Sequence, residues 1–412
     1  MVRWLYALRI LIIIEFIITF YFIFFSMKYW KIYFYLNALI VLSYIWFNYG
    51  RLFYYKFKEK KYSSSDEPYT VVVPCFNEEP RLLKKTVKSL LKTDKNKKQI
   101  IIVDDGSENN IFETMKELSN LDKCIEIYKF DKNRGKRFAH ELSFNKAKYE
   151  FIISIDSDTI VEKNAIRKLL SPFVDKEVGA TTGNVLIKNA KENLLTRIQA
   201  GLYWVGLNIY KRGQSTQGNV VCCSGCLSAY RKSYLLEVLS EYVGQTYLNL
   251  PCHASEDRYL TNLMNEKGLK ILYVEDSICY TEAPSTLKKF IKQQIRWKRG
   301  FYRECLYTST YAWKKSKILY IENLLWLMFS PVIALPTVLI TYYIILTNPL
   351  KFLLVAIPFT LLFTLCRDSL FFIREPKKAF FYLSYIFLYL FLMYPLNIYA
   401  IFNSNPEKWG TR

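Results

Sequence analysis

Apolar stretches at both ends of the chain, with a polar middle between them, limit its fold more than any other feature. Residues 4–25 form an almost unbroken apolar run, interrupted by Arg9 and Glu15. A helix needs about 20 such residues to cross a bilayer, whereas a cleaved signal peptide has a shorter apolar core and a small-residue cleavage site. We therefore predict a retained membrane-spanning helix here and a second one over residues 32–54.

The charges beside these stretches predict the topology. A basic cluster directly follows the second stretch, at Lys56, Lys58, Lys60 and Lys61. Such clusters mark the cytoplasmic side of a membrane span, so the polar middle and the N-terminus are both expected in the cytoplasm. The formal net charge of +21 suits an anionic membrane surface. Nothing in the sequence indicates a nucleic-acid partner.

The C-terminal third contains three further apolar stretches, at residues 323–346, 350–373 and 380–402. Three full crossings would leave the basic C-terminus outside, against the positive-inside tendency. Kinks or re-entrant pieces are suggested by prolines within the stretches, at Pro331, Pro336 and Pro395. We expect an even number of crossings, with one stretch lying in the interface.

Arg367 and Asp368 lie within one of these apolar runs. Charges at membrane depth usually face the interior of a helix bundle or a wet path. The alternative is a pair at a helix end that reaches the membrane surface. The sequence leaves both interpretations open.

The cysteines and histidines argue against a disulfide framework and against zinc. Nine Cys occur without paired spacings, and only two His are present. Free thiols in a reducing cytoplasm are therefore expected.

The middle of the chain alternates between strand and helix patterns. Apolar, β-rich segments predict strands, and amphipathic segments between them predict helices at 81–91 and 112–118. The predicted strands cover residues 69–75, 99–103 and 151–155. This order is typical of an α/β fold with a mostly parallel sheet, in which ligands bind at the carboxyl ends of the strands.

Acidic and amide side chains follow each predicted strand. They are Asn77 and Glu78, Asp104 and Asp105, and Asp156 and Asp158. Mg²⁺ commonly takes one or two carboxylates together with substrate phosphates. One Asp-x-Asp pair alone is a weak signal, and Asp104 and Asp105 could simply begin a turn before Gly106. Three acidic strand ends in one domain make a metal and phosphate site the better interpretation.

Two basic segments accompany the acidic ones. Residues 133–137, Asn-Arg-Gly-Lys-Arg, suit a diphosphate, although a solvated basic helix start would look the same. No dinucleotide or P-loop motif occurs. Downstream, residues 255–258 read Ser-Glu-Asp-Arg, and residues 284–303 form a basic amphipathic segment that contains Gln293, Arg296 and Trp297. Such a helix belongs at a membrane surface.

These motifs, in this order, resemble the processive membrane glycosyltransferases that include cellulose, chitin and hyaluronan synthases. The segments 222–228, 245–247, 258–262 and 409–412 are most similar to class I hyaluronan synthases. One departure is Ser255-Glu256-Asp257, where those enzymes usually have Gly-Asp-Asp. A Glu-Asp-Arg triplet also looks like the nodulation-type chitin oligosaccharide synthases, which leaves the identity of the sugars open.

The resemblance implies a GT-A-like domain inserted between membrane helices. It divides the chain into two N-terminal transmembrane helices with a basic linker (1–61), the cytoplasmic glycosyltransferase domain (62–283), amphipathic interface helices (284–318), a C-terminal transmembrane bundle (319–403) and a cytoplasmic tail (404–412). The expected location is the plasma membrane, with several crossings. The sequence does not indicate an oligomeric state.

The resemblance also implies roles for the site residues. Asp257 is the expected general base, with Glu256 and Arg258 beside it, and Asp156 and Asp158 are the expected ligands of Mg²⁺ or Mn²⁺. The expected contacts to the nucleotide-sugar are Asn77, Glu78, Asp104, Asp105, Lys136, Asp156, Gln293, Arg296, Trp297, Trp409 and Arg412. The expected contacts to the acceptor sugar are Cys223, Ser224, Gly225 and Trp297.

The function implied is inverting polymerisation of UDP-sugars with export of the polymer through the bilayer. Hyaluronan, from UDP-GlcNAc and UDP-GlcA, is the first expectation, and a chitin-type polymer from UDP-GlcNAc alone is the alternative. A non-processive transfer to a lipid carrier is the second alternative, which the Gln-x-x-Arg-Trp motif disfavours. A transporter or receptor with a degenerate α/β domain is a further reading, disfavoured by the intact acidic motifs.

Overall fold

The computed structural model describes residues 2–25, 39, 42–43, 45–53, 62–93, 97–328, 331–332 and 334–404. The chain divides into two compact units. The helical unit comprises Met1–Phe53 and Phe290–Asn405, and the sheet unit comprises Tyr54–Lys289 and Pro406–Arg412.

The sheet unit is built on an eight-stranded sheet and a separate two-stranded ribbon. The strands are β1 (Tyr69–Cys75), β2 (Lys98–Asp104), β3 (Ile125–Lys129), β4 (Phe151–Ser154), β5 (Ile160–Val161), β6 (Val178–Ile187), β7 (Ser228–Arg231), β8 (Thr246–Tyr247), β9 (Leu250–Pro251) and β10 (Lys270–Thr281). In the large sheet the order is β3-β2-β1-β4-β7-β6-β10-β5. Strands β3, β2, β1 and β4 are mutually parallel neighbours, as are β6 and β10, while β7 and β5 run antiparallel to their neighbours.

The sequence of the central strands explains why they lie inside the unit. Every residue of β1 is buried, and six of the seven residues of β2 are buried. Continuous apolar strands of this kind are typical of a parallel sheet that is covered on both faces. The predicted strands at 69–75, 99–103 and 151–155 are confirmed, with β2 one residue longer at each end and β4 ending at Ser154. The predicted α/β fold with a mostly parallel sheet is likewise confirmed.

Helices are numbered along the whole chain, beginning with α1 (Val2–Phe25) in the helical unit. Those of the sheet unit are α2 (Pro80–Leu91), α3 (Ile111–Ser119), α4 (Lys136–Lys146), α5 (Ala165–Leu170), α6 (Leu194–Val205), α7 (Arg212–Ser215), α8 (Lys232–Glu237), α9 (Leu239–Val243) and α10 (Glu256–Glu266). A 3₁₀ turn covers Ser171–Val174 and a π-helical turn covers Gly206–Lys211. The helices predicted at 81–91 and 112–118 correspond to α2 and α3.

The long helix α11 (Leu287–Lys315) begins in the sheet unit and continues into the helical unit. Residues 45–53 of the helical unit are also helical. The remaining helices are α12 (Lys317–Met328), α13 (Leu335–Thr347), α14 (Pro349–Lys351), α15 (Ile357–Arg367), α16 (Ser369–Arg374), α17 (Pro376–Tyr382), α18 (Tyr385–Leu388) and α19 (Tyr394–Phe402). π-helical turns occupy Phe352–Ala356 and Tyr389–Met393.

Within the described part of the chain, one helical run is long and apolar enough to cross a membrane, Pro376–Phe402. Among the described residues, α13 ends at Thr347, and the stretch predicted at 350–373 is divided among α14, a π-helical turn, α15 and α16. Pro336 lies in the first turn of α13, and Pro395 follows the π-helical turn at Tyr389–Met393, positions where the missing N–H of proline is tolerated. The number of membrane crossings therefore stays a prediction.

Arg367 and Asp368 form an ion pair inside the helical unit. Their side chains are 2.6 Å apart, and the Asp368 side chain is completely buried. Arg367 also lies 3.3 Å from the Tyr382 hydroxyl, to which it donates a hydrogen bond. These contacts favour the interior position over a pair that reaches outward from a helix end.

A second buried pair joins the helical stretch 45–53 to α12. Arg51 donates two hydrogen bonds to Glu322, at 2.6 and 3.0 Å, and a third to Asn48 at 2.6 Å. The two charged side chains are 5% and 2% exposed. Charges removed from water to this extent require a well-aligned partner, so this pair ties two parts of the helical unit together.

Candidate active site

Three of the predicted motifs meet at one edge of the large sheet. Strand β1 lies between β2 and β4, with Cys75 beside Asp104 and Val72 beside Ser154. All three strands are parallel, so the loops that leave their carboxyl ends lie side by side. The residues that follow each strand are thereby brought to a common edge, as the sequence predicted.

Hydrogen bonds connect the loop after β1 to the other two loops. The Glu78 carboxylate accepts a bond from the Ser157 hydroxyl at 2.7 Å. The Asn77 side-chain oxygen accepts a bond from the backbone N–H of Glu108 at 2.9 Å, and the backbone N–H of Asn77 donates to the Ser107 hydroxyl. Glu78 and Asn77 therefore brace the Asp-x-Asp turn and the turn after β2.

The two adjacent aspartates after β2 have different surroundings. Both side chains are fully buried. One oxygen of Asp104 accepts a bond from the Ser107 N–H at 2.9 Å, while its other oxygen accepts none within the described residues. Asp105 accepts bonds from the Asn133 side chain and from the backbone N–H groups of Arg134 and Gly135 at 2.8 to 3.1 Å. Asp105 therefore fixes the basic loop at 133–135, and burial raises its pKa to about 6 despite these bonds.

Lys136 occupies the centre of the site. Its Nζ lies 2.7 Å from a carboxylate oxygen of Asp156 and 2.7 Å from a carboxylate oxygen of Glu256. The Lys136 side chain is only 6% exposed. Burial by itself would lower the pKa of Lys136, but the charges of Asp156 and Glu256 outweigh it and raise the pKa well above its usual value. One ammonium group thus joins the Asp-x-Asp turn to the start of α10.

Gly225 provides the space for this arrangement. A Cβ atom at Gly225 would lie 3.0 Å from the Lys136 Nζ and 3.2 Å from both carboxylate oxygens of Asp156. Such distances are closer than ordinary van der Waals contact. The segment 222–226 therefore lines the site, and at Gly225 it does so with backbone atoms alone.

Glu256 and Asp257 open helix α10 and differ in their acidity. Burial opposes ionisation of Glu256, yet Lys136 lowers its pKa to about 2. Burial and the adjacent Glu256 charge raise the pKa of Asp257. The charge of Asp156 acts on Asp257 in the same direction, which places the three carboxylates within electrostatic range of one another. Asp257 is consequently the more basic carboxylate.

The residue before these acids adopts an unusual backbone conformation. Ser255 has φ +60° and ψ +37°, in the left-handed region. That region costs an L-residue roughly 1–2 kcal/mol and costs glycine almost nothing. Glycine, which the family resemblance leads us to expect at this position, would adopt this conformation without strain. In this chain Ser255 adopts it with a strained backbone.

Cys222 and Cys226, to which the sequence assigned no role beyond membership of the segment 222–228, contact acidic residues of the site. The thiol of Cys226 lies 3.5 Å from Asp156, and the thiol of Cys222 lies 3.8 Å from Asp257. Burial, with the nearby Asp257 charge, raises the pKa of Cys222 to about 12, so this thiol stays protonated as a weak donor. No local signal distinguishes these cysteines, because their partners are distant in sequence.

The predicted acceptor residues between them have mainly backbone contacts. Cys223 is fully buried, and its N–H donates to the Thr261 hydroxyl at 2.8 Å. The Ser224 N–H donates to the Thr182 hydroxyl at 3.1 Å. Of the three, Gly225 is the one that faces the acidic centre.

Tyr203 on α6 is a further residue that the sequence did not reveal. Burial raises its pKa, and the charges that act on it include those of Asp156 and Asp158. The Asp-x-Asp turn therefore lies close to the last turn of α6. The π-helical turn Gly206–Lys211 follows α6 directly. π-helical turns are frequent at functional sites.

The donor set at the Asp-x-Asp turn suits a divalent cation that arrives with phosphate. The described residues contain no group of three or more His, Cys, Asp or Glu arranged to hold a metal ion. Asp156 and Asp158 supply hard oxygen ligands from a single turn, and the absence of a side chain at Gly225 lets the backbone approach Asp156 closely. Mg²⁺ and similar ions commonly complete such a set with substrate phosphates.

The remaining predicted residues lie in the helical unit, in the tail and on α10 of the sheet unit. Gln293, Arg296 and Trp297 lie on α11 within the helical unit, and the Trp297 side chain is 39% exposed. Trp409 and Arg412 lie outside the described residues. Arg258 follows Asp257 on α10, and its N–H donates to the Asp257 carboxylate at 2.7 Å.

Comparison with protein families gives one match to the sheet unit. A family model described as glycosyl transferase family 2 matches residues 70–239. This range contains the motifs after β1, β2 and β4 together with Lys136 and the segment 222–226.

Curated relatives extend the similarity to most of the chain. A hyaluronan synthase of Streptococcus pyogenes is 31% identical over 387 residues, covering 91% of this chain and 90% of the relative. An N-acetylglucosaminyltransferase of Azorhizobium caulinodans is 35% identical over 236 residues, covering 57% of this chain and 59% of the relative.

A solved structure shares the architecture at low identity. A mannosyltransferase of Pyrobaculum calidifontis, in complex with GDP-Man and Mn²⁺, superimposes with a TM-score of 0.58 at 15% identity. The match covers 89% of this chain and 98% of the mannosyltransferase. At that identity the likeness concerns the fold alone.

Proposed function

Because the chain belongs to glycosyl transferase family 2 and is a processive glycosyltransferase with a GT-A-like fold, we propose that it polymerises UDP-GlcNAc and UDP-GlcA into hyaluronan. The similarity to a hyaluronan synthase over 91% of the chain supports the choice of product. The observation that carries the proposed mechanism is the cluster of Asp156, Lys136 and Glu256, with Asp257 beside it, at the edge where the parallel strands end.

In the proposed reaction, Asp257 takes the proton of the acceptor hydroxyl. Burial and the Glu256 charge raise the pKa of this carboxylate, which makes it a better proton acceptor than an ordinary aspartate. Attack from the side opposite the leaving diphosphate inverts the anomeric centre, so an α-linked donor gives a β-linked product. No covalent intermediate with the protein is required.

The leaving UDP develops negative charge that the site must stabilise. Asp156 and Asp158 would hold Mg²⁺ or Mn²⁺, and that cation would stabilise charge on the diphosphate when bound. Lys136 and Arg296 would bind phosphate oxygens, as guanidinium and ammonium groups do at diphosphate sites. The Mn²⁺ in the Pyrobaculum mannosyltransferase, which shares the fold, supports this kind of cofactor.

Asn77, Glu78, Asp104 and Asp105 would position the nucleoside part of the donor. The unengaged oxygen of Asp104 is a buried acceptor of the kind that a nucleobase N–H satisfies. Both oxygens of Asp105 already accept bonds from the loop 133–135, so its contribution would be to hold that loop.

The acceptor sugar would lie near Ser224, Gly225 and Trp297. The exposed fraction of Trp297 supports stacking on a sugar ring. Gln293 would accompany Arg296 at the donor, and Trp409 and Arg412 would close over the nucleotide. Glu256 and Arg258 would support Asp257.

We assign the polymer path to the helical unit of a protein embedded in the plasma membrane, with the sheet unit in the cytoplasm. The apolar run Pro376–Phe402 and the basic cluster at 56–61 support this placement. A polymer too polar to enter lipid needs a protein-lined route. Purified protein in lipid vesicles should deposit labelled polymer in a compartment that added glycosidase does not reach.

A second candidate product is a chitin-type polymer made from UDP-GlcNAc alone. The 35% identity to an N-acetylglucosaminyltransferase and the sequence Glu256-Asp257-Arg258 favour it. Because the two products differ in donor requirement, supplying each UDP-sugar alone and then both together distinguishes them. Polymer that requires both donors supports hyaluronan. Polymer from UDP-GlcNAc alone would identify the second product, and a single sugar added to lipid would reject processive synthesis from UDP-sugars.

A further inference from the structure

The ammonium group of Lys136 already supplies the positive charge that a bound cation would bring to the carboxylates of the site. It touches Asp156 and Glu256 at 2.7 Å each, and it is packed against the backbone of Gly225. A lysine kept free for a phosphate would extend toward solvent, whereas this one is almost fully buried among carboxylates. Lys136 is therefore part of the acidic centre in the ligand-free protein.

One ammonium group is shared between two carboxylates in this centre. Lys136 pairs with Asp156 and Glu256, and the charges of all three residues act on Asp257. Buried carboxylates without a counter-charge are strongly unfavourable. Lys136 therefore stabilises the empty site, and a second cation beside it would repel the ammonium while competing for the Asp156 carboxylate.

We propose that Lys136 is an internal counter-cation that competes with the divalent metal for Asp156, so that the metal binds tightly only together with the donor diphosphate. The inference rests on the proposed function, because it assumes a metal at Asp156 and Asp158. The incoming diphosphate supplies new acceptor oxygens, so the ammonium exchanges its bond to Asp156 for a bond to phosphate. Metal and nucleotide then bind cooperatively, each raising the affinity of the other by the same factor.

The direct test is the affinity for Mn²⁺ in the absence of any nucleotide. The full-length protein in detergent is titrated with Mn²⁺ alone, and free Mn²⁺ is followed by electron paramagnetic resonance. Removing a positive charge beside Asp156 in Lys136→Gln should tighten Mn²⁺ binding by about tenfold or more, the scale on which a neighbouring charge changes proton affinity. The same variant should bind UDP with Mn²⁺ more weakly than the wild type.

A matched control removes a lysine from another carboxylate pair of the sheet unit. Lys148 lies 2.6 Å from Glu126 at a position where the lysine is 62% exposed. Lys148→Gln should leave Mn²⁺ affinity unchanged, and Lys136→Arg, which keeps the charge, should retain the weak binding of the wild type. Equal or weaker Mn²⁺ binding by Lys136→Gln overturns the proposal.

A measurement on the wild type covers the case in which Lys136→Gln does not fold. Acylation of lysines by an amine-reactive reagent, read by mass spectrometry, should be slow at Lys136 without ligands and should rise with saturating Mn²⁺ alone, relative to Lys148. Labelling that does not respond to Mn²⁺ overturns the competition. Polymer formation from UDP-sugars is scored separately, so a failed competition and a failed function are told apart.

Discussion

Each unit of the protein buries a cluster of charge, and the two clusters differ in how their charges balance. In the helical unit, Arg51 and Glu322 form a one-to-one pair with two parallel hydrogen bonds, sealed from solvent. In the sheet unit, the single ammonium group of Lys136 contacts both Asp156 and Glu256, with Asp257 nearby. The first cluster pairs one charge with one, whereas in the second one ammonium group is shared between two carboxylates.

This difference indicates what each cluster is for. A balanced, bidentate pair holds two segments together and gains nothing from a ligand. Two buried carboxylates that share one ammonium group are costly to maintain, and a bound proton or cation lowers that cost. The following predictions test that distinction, beginning with the largest expected effect.

Replacing Asp257 by Asn should stop synthesis while leaving the fold intact. The amide has nearly the same shape but cannot take a proton, and loss of a general base typically costs about 10²–10⁴ in rate. UDP binding should be nearly unchanged, because the proposed diphosphate contacts do not include Asp257. Polymer yield and UDP affinity are measured on the same preparation, and undiminished synthesis would refute the assignment of Asp257.

Replacing Glu322 by Gln should destabilise the helical unit without a specific effect on the acidic centre. Breaking one partner of a buried pair costs about 3–5 kcal/mol, whereas replacing both partners by apolar residues of similar volume is often neutral. The midpoint of thermal unfolding should fall for Glu322→Gln and recover in Arg51→Met combined with Glu322→Leu. A single variant as stable as the wild type would show that the pair is not effectively desolvated.

The pH dependence of synthesis should report on the carboxylate cluster around Lys136. Asp257 must be ionised to accept a proton, and burial with the Glu256 charge raises its pKa above the ordinary value of 3.8. As the pH is lowered, activity should therefore be lost at a higher pH than it would be if the general base were an exposed aspartate. The test is the pH profile of kcat/KM for the donor, and an acid limb no higher than that of an exposed aspartate would contradict the electrostatic account.

Replacing Ser255 by Gly should give the smallest effect, a gain in stability of about 1 kcal/mol from relief of the left-handed backbone. Ser255→Ala keeps the Cβ atom and should give no such gain. Both variants are compared with the wild type by thermal unfolding. Equal stability of the Gly and Ala variants would show that the strain at φ +60° is not significant.

The sequence predicted three neighbouring strands of the sheet and the edge at which the motifs meet, because both depend on local patterns. Apolar runs gave β1, β2 and β4, and the polar residues after each run were expected at the carboxyl ends of parallel strands. The fixed relation between strand direction and loop position then brought Asn77, Asp104 and Asp156 to one edge without any knowledge of the other contacts.

The bonding of individual side chains could not be predicted in the same way. Lys136 was expected at a diphosphate, and the sequence offers no sign that it pairs with Asp156, 20 residues away, and with Glu256 on a separate helix. Cys222 and Cys226 joined the site for the same reason, through tertiary contacts that no spacing reveals. The sequence shows only that Ser255 stands where related motifs have glycine, and the backbone strain at Ser255 becomes visible only in the structure.

The lack of a side chain at Gly225 limits which substitutions this position can accept. Its φ is not in the left-handed region, unlike that of Gly106, so no backbone rule requires glycine there. The requirement comes from the crowded ammonium and carboxylate opposite. In a saturation library, alanine at position 225 should be disfavoured, because its Cβ atom would lie 3.0 Å from the Lys136 Nζ, and a change that shortens the residue at 136 should make alanine better tolerated.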